Sequence, residues 1–200
     1  LATTWLPYEK VAYLKVLEDV FERTYNSGKF TYLFNWLGRL FAPDYMKLYE
    51  ALTEEWLVLH NDQKALSDES LCHFLCHCLE EVLPLTADQK ALAKELLALD
   101  MLTFFRFRLQ AGFLGWSEAP RSETDAIFRD EAWLQTYAKD YRFTNWRDIK
   151  MRYRIWPASP ALKAELSRYG AVPADDAYVL AEKKKDRADW CLIPVKGELL

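Results

Sequence analysis

"LCHFLCHCLEEVL", Leu71 to Leu83, decides how this chain is read. Three cysteines and two histidines crowd the positions from Cys72 to Cys78. Cys72, Cys76 and Cys78 come within one residue of the Cys-x3-Cys-x2-Cys spacing that holds an iron–sulfur cluster. Read as a loop, the segment is a metal site. Read as a helix turning roughly 100° per residue, it sets Leu71, Phe74, Leu75, Cys78, Leu79 and Val82 on one face. That is a buried stripe, and Cys78 inside it behaves as a small hydrophobe. Cys72 and Cys76 then lie on its border, with His73 and His77 on the opposite, solvated side near Glu69 and Glu80. Three thiolates cannot converge from one continuous helix. The candidate metal ligands reduce to two pairs one turn apart, Cys72 with Cys76 and His73 with His77, and His60 is the only other histidine. The helix is the expected answer.

The same periodicity runs outward on both sides. Pro7 suits a first helical turn, and Val11, Leu14, Leu17, Phe21 and Tyr25 follow at helical spacing. "YNSG" ends that run at Gly28. Phe30, Leu33, Phe34, Leu37 and Phe41 form a second stripe. Tyr45, Leu48, Tyr49, Leu52, Trp56 and Leu59 form a third, broken at "HND". Ser67 caps the helix through the cysteine segment, with Asp68 and Glu69 at its positive end. "TADQ", Thr86 to Gln89, has the capping-box pattern and opens a fifth helix running through "LLALDMLTFFRFR". Short connections favour an up-and-down helical layer.

Past Gly112 the character changes. "GWSEAPRSETD" reads as a loop-like connector. "MRYRIW" alternates Met151, Tyr153 and Ile155 with Arg152 and Arg154, as a strand with one face on a core does. "SPALKAELSRYG" reads as a short helix ending at Gly170. Strands at Tyr178–Ala181 and Trp190–Ile193 follow, joined by the charged "KKKDR" turn. The expected fold is α+β and predominantly α-helical, an up-and-down helical layer followed by a small C-terminal antiparallel β element. The expected division is a helical subdomain, 1–112, and a small α+β subdomain packed on it, 113–200, with one compact domain as the alternative.

Composition bounds the function. Hydrophobic residues are 51% and aromatics 15% of the chain, so a bulky core is affordable and disorder is excluded. A net charge of −4 gives no global case for nucleic acid or an anionic membrane. No apolar run approaches the roughly 20 residues of a membrane span. Four cysteines, three of them crowded, fit free thiols in a cytoplasmic protein better than a disulfide framework. The first residue is Leu rather than Met, as expected of a piece of a longer protein.

No glycine-rich phosphate loop, His-Glu-x-x-His or Gly-x-Ser-x-Gly occurs, and the paired carboxylates read as solvated surface. From Arg142 to Arg154, basic residues interleave with Phe143, Trp146, Tyr153 and Trp156. Arg147, Lys150, Arg152 and Arg154 are thus candidate nucleic-acid contacts, by phosphate pairing and base stacking. The competing reading is a strand whose arginines face water or acidic neighbours.

"LPYEKVAYLKVLEDVFERTYNSGKF", Leu6 to Phe30, resembles the C-terminal domain of unknown function of cobalamin-binding radical SAM proteins. These are iron–sulfur oxidoreductases related to the anaerobic magnesium-protoporphyrin cyclase. Leu14-Lys15, Glu18 and Tyr25-Asn26-Ser27-Gly28 followed by a basic residue and Phe30 carry the likeness. Leu97 to Arg108 and Ala177 to Trp190 follow it more loosely. The chain departs at Thr24 and Met101, where the family has Tyr. The resemblance implies an accessory domain, inactive alone, beside a radical SAM barrel and a cobalamin-binding domain of the same polypeptide. Those parts would hold S-adenosylmethionine, a 4Fe-4S cluster and cobalamin, so no catalytic or cofactor-binding residue carries over to this chain. The expectation of another class is a non-enzymatic helical interaction module that binds protein or RNA.

Overall fold

A computed structural model describes residues 7–60, 66–105, 111–138, 146–170, 177–184 and 188–194. The chain divides into two compact units, Leu1–Met101 and Leu102–Leu200.

In the first unit, α1 (Tyr8–Phe21) starts directly after Pro7 and continues into a wider π-helical turn, Glu22–Asn26. Gly28 closes it with φ 67°, a left-handed conformation that L side chains avoid. Helices α2 (Thr31–Leu40), α3 (Tyr45–His60) and α4 (Asp68–His77) follow. A second π-helical turn, Cys78–Val82, leads to α5 (Ala87–Phe105), which crosses the boundary between the units. Local capping chemistry sets the starts. Ser67 Oγ accepts the Ser70 N–H at 3.1 Å. Thr86 and Gln89 exchange bonds at 2.9 and 3.3 Å, the reciprocal capping box.

The stripes of α2, α3 and α4 form the core of this unit, with Leu33, Leu37, Leu52, Leu75 and Leu79 buried and Trp56 edge-on to Phe74 at 5.0 Å. Helix α1 differs from expectation. Its core-facing centre is Val20, followed by Thr24 in the π-helical turn, whereas Leu14 is 49% and Tyr25 52% exposed. The apolar run of α1 is broad enough to offer two faces, and tertiary packing takes only one of them. Phe21 meets Tyr49 at 4.9 Å, so α1 packs on α3.

The second unit is a three-stranded antiparallel sheet with helices. A short 3-10 turn, Ala111–Leu114, precedes α6 (Arg121–Phe128), α7 (Glu131–Tyr137) and α8 (Trp146–Arg152). Then come β1 (Tyr153–Ala158), α9 (Pro160–Leu166), β2 (Ala177–Lys183) and β3 (Ala188–Pro194). The strand order is β1-β2-β3, with Ile155 opposite Leu180 and Leu180 opposite Cys191. Tyr153, Ile155, Tyr178, Leu180 and Ile193 pack with Ile127, Phe128, Trp133 and Ile149. Along β1, the Ala119 N–H donates to Ile155 O at 2.8 Å and Trp116 Nε1–H to Pro157 O at 2.8 Å. The segment before α6 thus straps that strand's outer edge.

The α+β, mostly helical reading and the C-terminal hairpin hold. Besides the facing of α1, three expectations do not. The connector from Gly115 to Asp125 becomes helical at Arg121, where Pro120 pre-sets the backbone and only Ile127 and Phe128 anchor the helix. So brief an apolar pattern shows no period. Met151 does not face the sheet core. It lies in the last turn of α8 at 80% exposure, and the strand begins two residues later. Helix α9 stops at Leu166 with Ser167 as its cap, short of Gly170.

Candidate functional site

The cysteine–histidine segment is helical, lying in α4 and the π-helical turn that follows it. Leu71, Phe74, Leu75, Cys78 and Leu79 are buried as the stripe requires. Cys72 is fully buried rather than on the border, and Cys76 is half-buried. Burial, with Asp68 and Asp100 nearby, pushes the Cys72 thiol up to about 12. Burial and then Glu55 raise Cys78 further, and burial and Glu80 raise Cys76. The histidine pair is split. His73 is exposed, whereas His77 Nε2 bonds Glu55 Oε1 of α3 at 2.8 Å, a partner other than the expected Glu69 and Glu80. Among the described residues no three His, Cys, Asp or Glu side chains converge as a metal site. The side chain of His60 lies outside that description.

The basic stretch is tied to carboxylates. Arg152 Nε donates to Glu182 Oε1 at 2.6 Å, and Lys184 Nζ meets Glu182 Oε2 at 2.6 Å. Burial pushes Glu182 up, yet Lys184, Arg152 and Tyr153 together hold it below the ordinary carboxylate value. Lys150 pairs with Asp125, and Arg154 with Glu118. The Tyr178 hydroxyl donates to Glu123, and burial with that carboxylate lifts it to about 12. Of the stacking candidates, Tyr153 and Trp156 are buried, Trp156 stacked on Trp116 at 5.7 Å. Arg142 and Phe143, and the side chains of Trp146 and Arg147, lie outside the described residues.

Asp100 is the group that residue-by-residue reading passed over. It sits fully buried in the middle of α5, inside the apolar run "LLALDML". Its carboxyl group accepts the backbone N–H of Tyr32 at 3.0 Å and of Leu33 at 2.9 Å, with Thr31 contributing a third. Those are the unsatisfied donors at the start of α2, whose own N-cap residue, Phe30, has no side chain able to cap. Burial raises the Asp100 carboxyl well above its ordinary value against the pull of the three N–H groups. A lone acid within an apolar helical run is the signal for such a group, since a buried carboxyl needs partners. Its position and saturated bonding make it a helix cap supplied from another helix. Perturbed carboxyls also mark catalytic sites, but reaction chemistry needs access, which this one lacks.

Apolar side chains of the first unit are also exposed, Val58 at 75% among them. On α1 and its π-helical turn, Leu14 and Tyr25 are about half exposed, at 49% and 52%, with Val11 and Phe21 half-buried beside them. Among the described residues no helix is long and apolar enough to cross a membrane.

Comparison with known proteins adds one assignment. No curated protein and no solved structure matches the chain. A family model does, across residues 1–159, which span α1 to the end of β1. The chain belongs to the family described as "protein of unknown function (DUF4080)".

Proposed function

We propose that this chain is the accessory C-terminal domain of a cobalamin-dependent radical SAM enzyme, inactive alone. It packs on the catalytic barrel, where it covers the active site or positions substrate. The observation that carries this reading is a part-exposed apolar row along α1 and its π-helical turn, with Leu14 at 49% and Tyr25 at 52% exposure. That row lies within Leu6 to Phe30, the segment on which the resemblance rests, and inside the matched span 1–159. Closing a site excludes water, which protects a reactive intermediate. The 4Fe-4S cluster, S-adenosylmethionine and cobalamin belong to the preceding domains on this reading, since the cysteines here do not fit a cluster. The enzyme would be cytoplasmic, with these cysteines kept as thiols.

The test is the coding sequence upstream of Leu1, followed by anaerobic reconstitution of the whole protein. A Cys-x3-Cys-x2-Cys run upstream, and turnover that fails when residues 1–200 are deleted, are the expected results. A start codon immediately before Leu1 sinks the reading and leaves a free-standing helical interaction module. The RNA version of that module is disfavoured, because Lys150, Arg152 and Arg154 already pair with carboxylates.

A further inference from the structure

We infer that β3 pairs with β3 of a second copy of this chain, edge to edge and antiparallel about a two-fold axis at Cys191. The order β1-β2-β3 gives the sheet two edges. That of β1 is strapped by the bonds from Ala119 and Trp116. Among the described residues β3 has a ladder on one side only, to β2. A strand so placed turns a row of backbone N–H and C=O groups away from its neighbour, ready for another strand.

The covering of the sheet also thins at β3. The register sets Ile155, Leu180 and Cys191 in one row across one face. Ile155 and Leu180 are buried against residues of α6, α7 and α8, as is Ile193 of the next row, whereas Cys191 is exposed.

The sequence of β3 selects a second copy as the occupant. Cys191 is the middle residue of "ADWCLIP", Ala188 to Pro194, so the whole strand opposes itself only with Cys191 facing Cys191. An axis at Trp190 or Leu192 leaves two residues of each copy opposed by nothing in the strand. In the full register Trp190 of each copy stands opposite Leu192 of the other, an aromatic–aliphatic pair made twice on one face. On the other face Asp189, the one charged residue of the strand, stands opposite Ile193, so like charges never meet. Pro194, which has no N–H to give, falls at the end of the ladder, where a missing bond interrupts nothing.

The test uses the full natural polypeptide carrying residues 1–200, followed by sedimentation velocity across the micromolar concentration range. The expected result is a monomer–dimer equilibrium. Under copper–phenanthroline the dimer should close a disulfide between the two Cys191 residues, mapped by mass spectrometry, because directly opposed strand residues lie roughly 4.5–5.5 Å apart at Cα. Cys191→Lys sets two ammonium groups against each other at the axis and should weaken the dimer by about tenfold or more, with circular dichroism unchanged. Cys191→Ser should dimerise as the natural chain does. A polypeptide that stays monomeric, a dimer indifferent to Cys191→Lys, or oxidation that joins copies only through other cysteines overturns the inference. None of these outcomes depends on the accessory-domain reading.

Discussion

The carboxyl group of Asp100 accepts the backbone N–H of Leu33 at 2.9 Å, joining positions 67 residues apart. One side chain of α5 thereby caps α2, which brings no cap of its own. Asp100→Ala leaves the N–H groups of Thr31, Tyr32 and Leu33, the last of them buried, without their acceptor and should cost about 2–4 kcal/mol. Asp100→Asn keeps one carbonyl oxygen and should cost clearly less. Urea unfolding of both variants measures the difference, and equal losses would show that the capping bonds are not what Asp100 contributes.

The same group predicts a pH dependence of definite sign. Its folded-state carboxyl is raised above the ordinary 3.8, so folding takes up a proton. The stability linked to that proton is complete below the ordinary value and fades as pH rises through the folded value. The advantage of the natural chain over Asp100→Asn should therefore shrink as pH rises above the ordinary carboxylate value and through the raised folded one. An advantage that grows with pH would mean the carboxylate form is favoured instead.

Glu182 behaves in the opposite sense. Lys184, Arg152 and Tyr153 hold it below 4.5 despite burial, so its contribution is present above that value and is lost as pH falls through the lower one. Glu182→Gln should cost roughly 1–2 kcal/mol at neutral pH, from charged hydrogen bonds lost in a partly buried site. The penalty should vanish in acid. A constant penalty down to about pH 3 would argue against the ionised network.

Thiol labelling separates packing from metal chemistry. Cys72 and Cys78 should resist an alkylating reagent in the native state, Cys76 should react slowly, and exposed Cys191 first. Zinc should leave the melting temperature of the natural chain and of a His73→Ala, His77→Ala variant alike. Stoichiometric zinc lost with those two histidines would reinstate a metal site.

Ion pairing of the basic stretch gives a binding prediction. A single-stranded RNA probe should show no salt-sensitive binding, because Arg152 and Arg154 have carboxylate partners. Tight binding that weakens steeply with salt, and drops on Arg154→Ala, would return the RNA reading.

What the sequence made legible was what is local. Ser67, the Thr86–Gln89 pair and Gly28 act within a few residues, and each marks a helix end in the structure. The cysteine segment was legible because a helical period fixes which thiol faces inward. Helix α1 was misread in its facing, since its apolar residues occupy more than one side and only α3 and its neighbours decide which is covered. Helices α6 and α7, at 8 and 7 residues, are too short to show a period. Their starts lean on Pro120 and on Asp130, whose carboxylate accepts the Trp133 N–H at 3.0 Å. Asp100 was hidden for another reason: its partners stand on a different helix, and nothing in "LLALDML" names them.

The matched family span stops at residue 159, one position after β1 ends at Ala158. Its ladder to β2, from Tyr153 opposite Glu182 to Ala158 opposite Ala177, lies half inside that span and half beyond it. A polypeptide trimmed to the recognisable stretch would keep the strap on the outer edge of β1 and strip the strand from its inner edge. Tyr153 and Ile155 would then sit on an open, sticky ribbon, the situation that drives chains to pair with one another. For anyone preparing this protein, solubility is thus decided by strands β2 and β3, which lie past the end of the matched span.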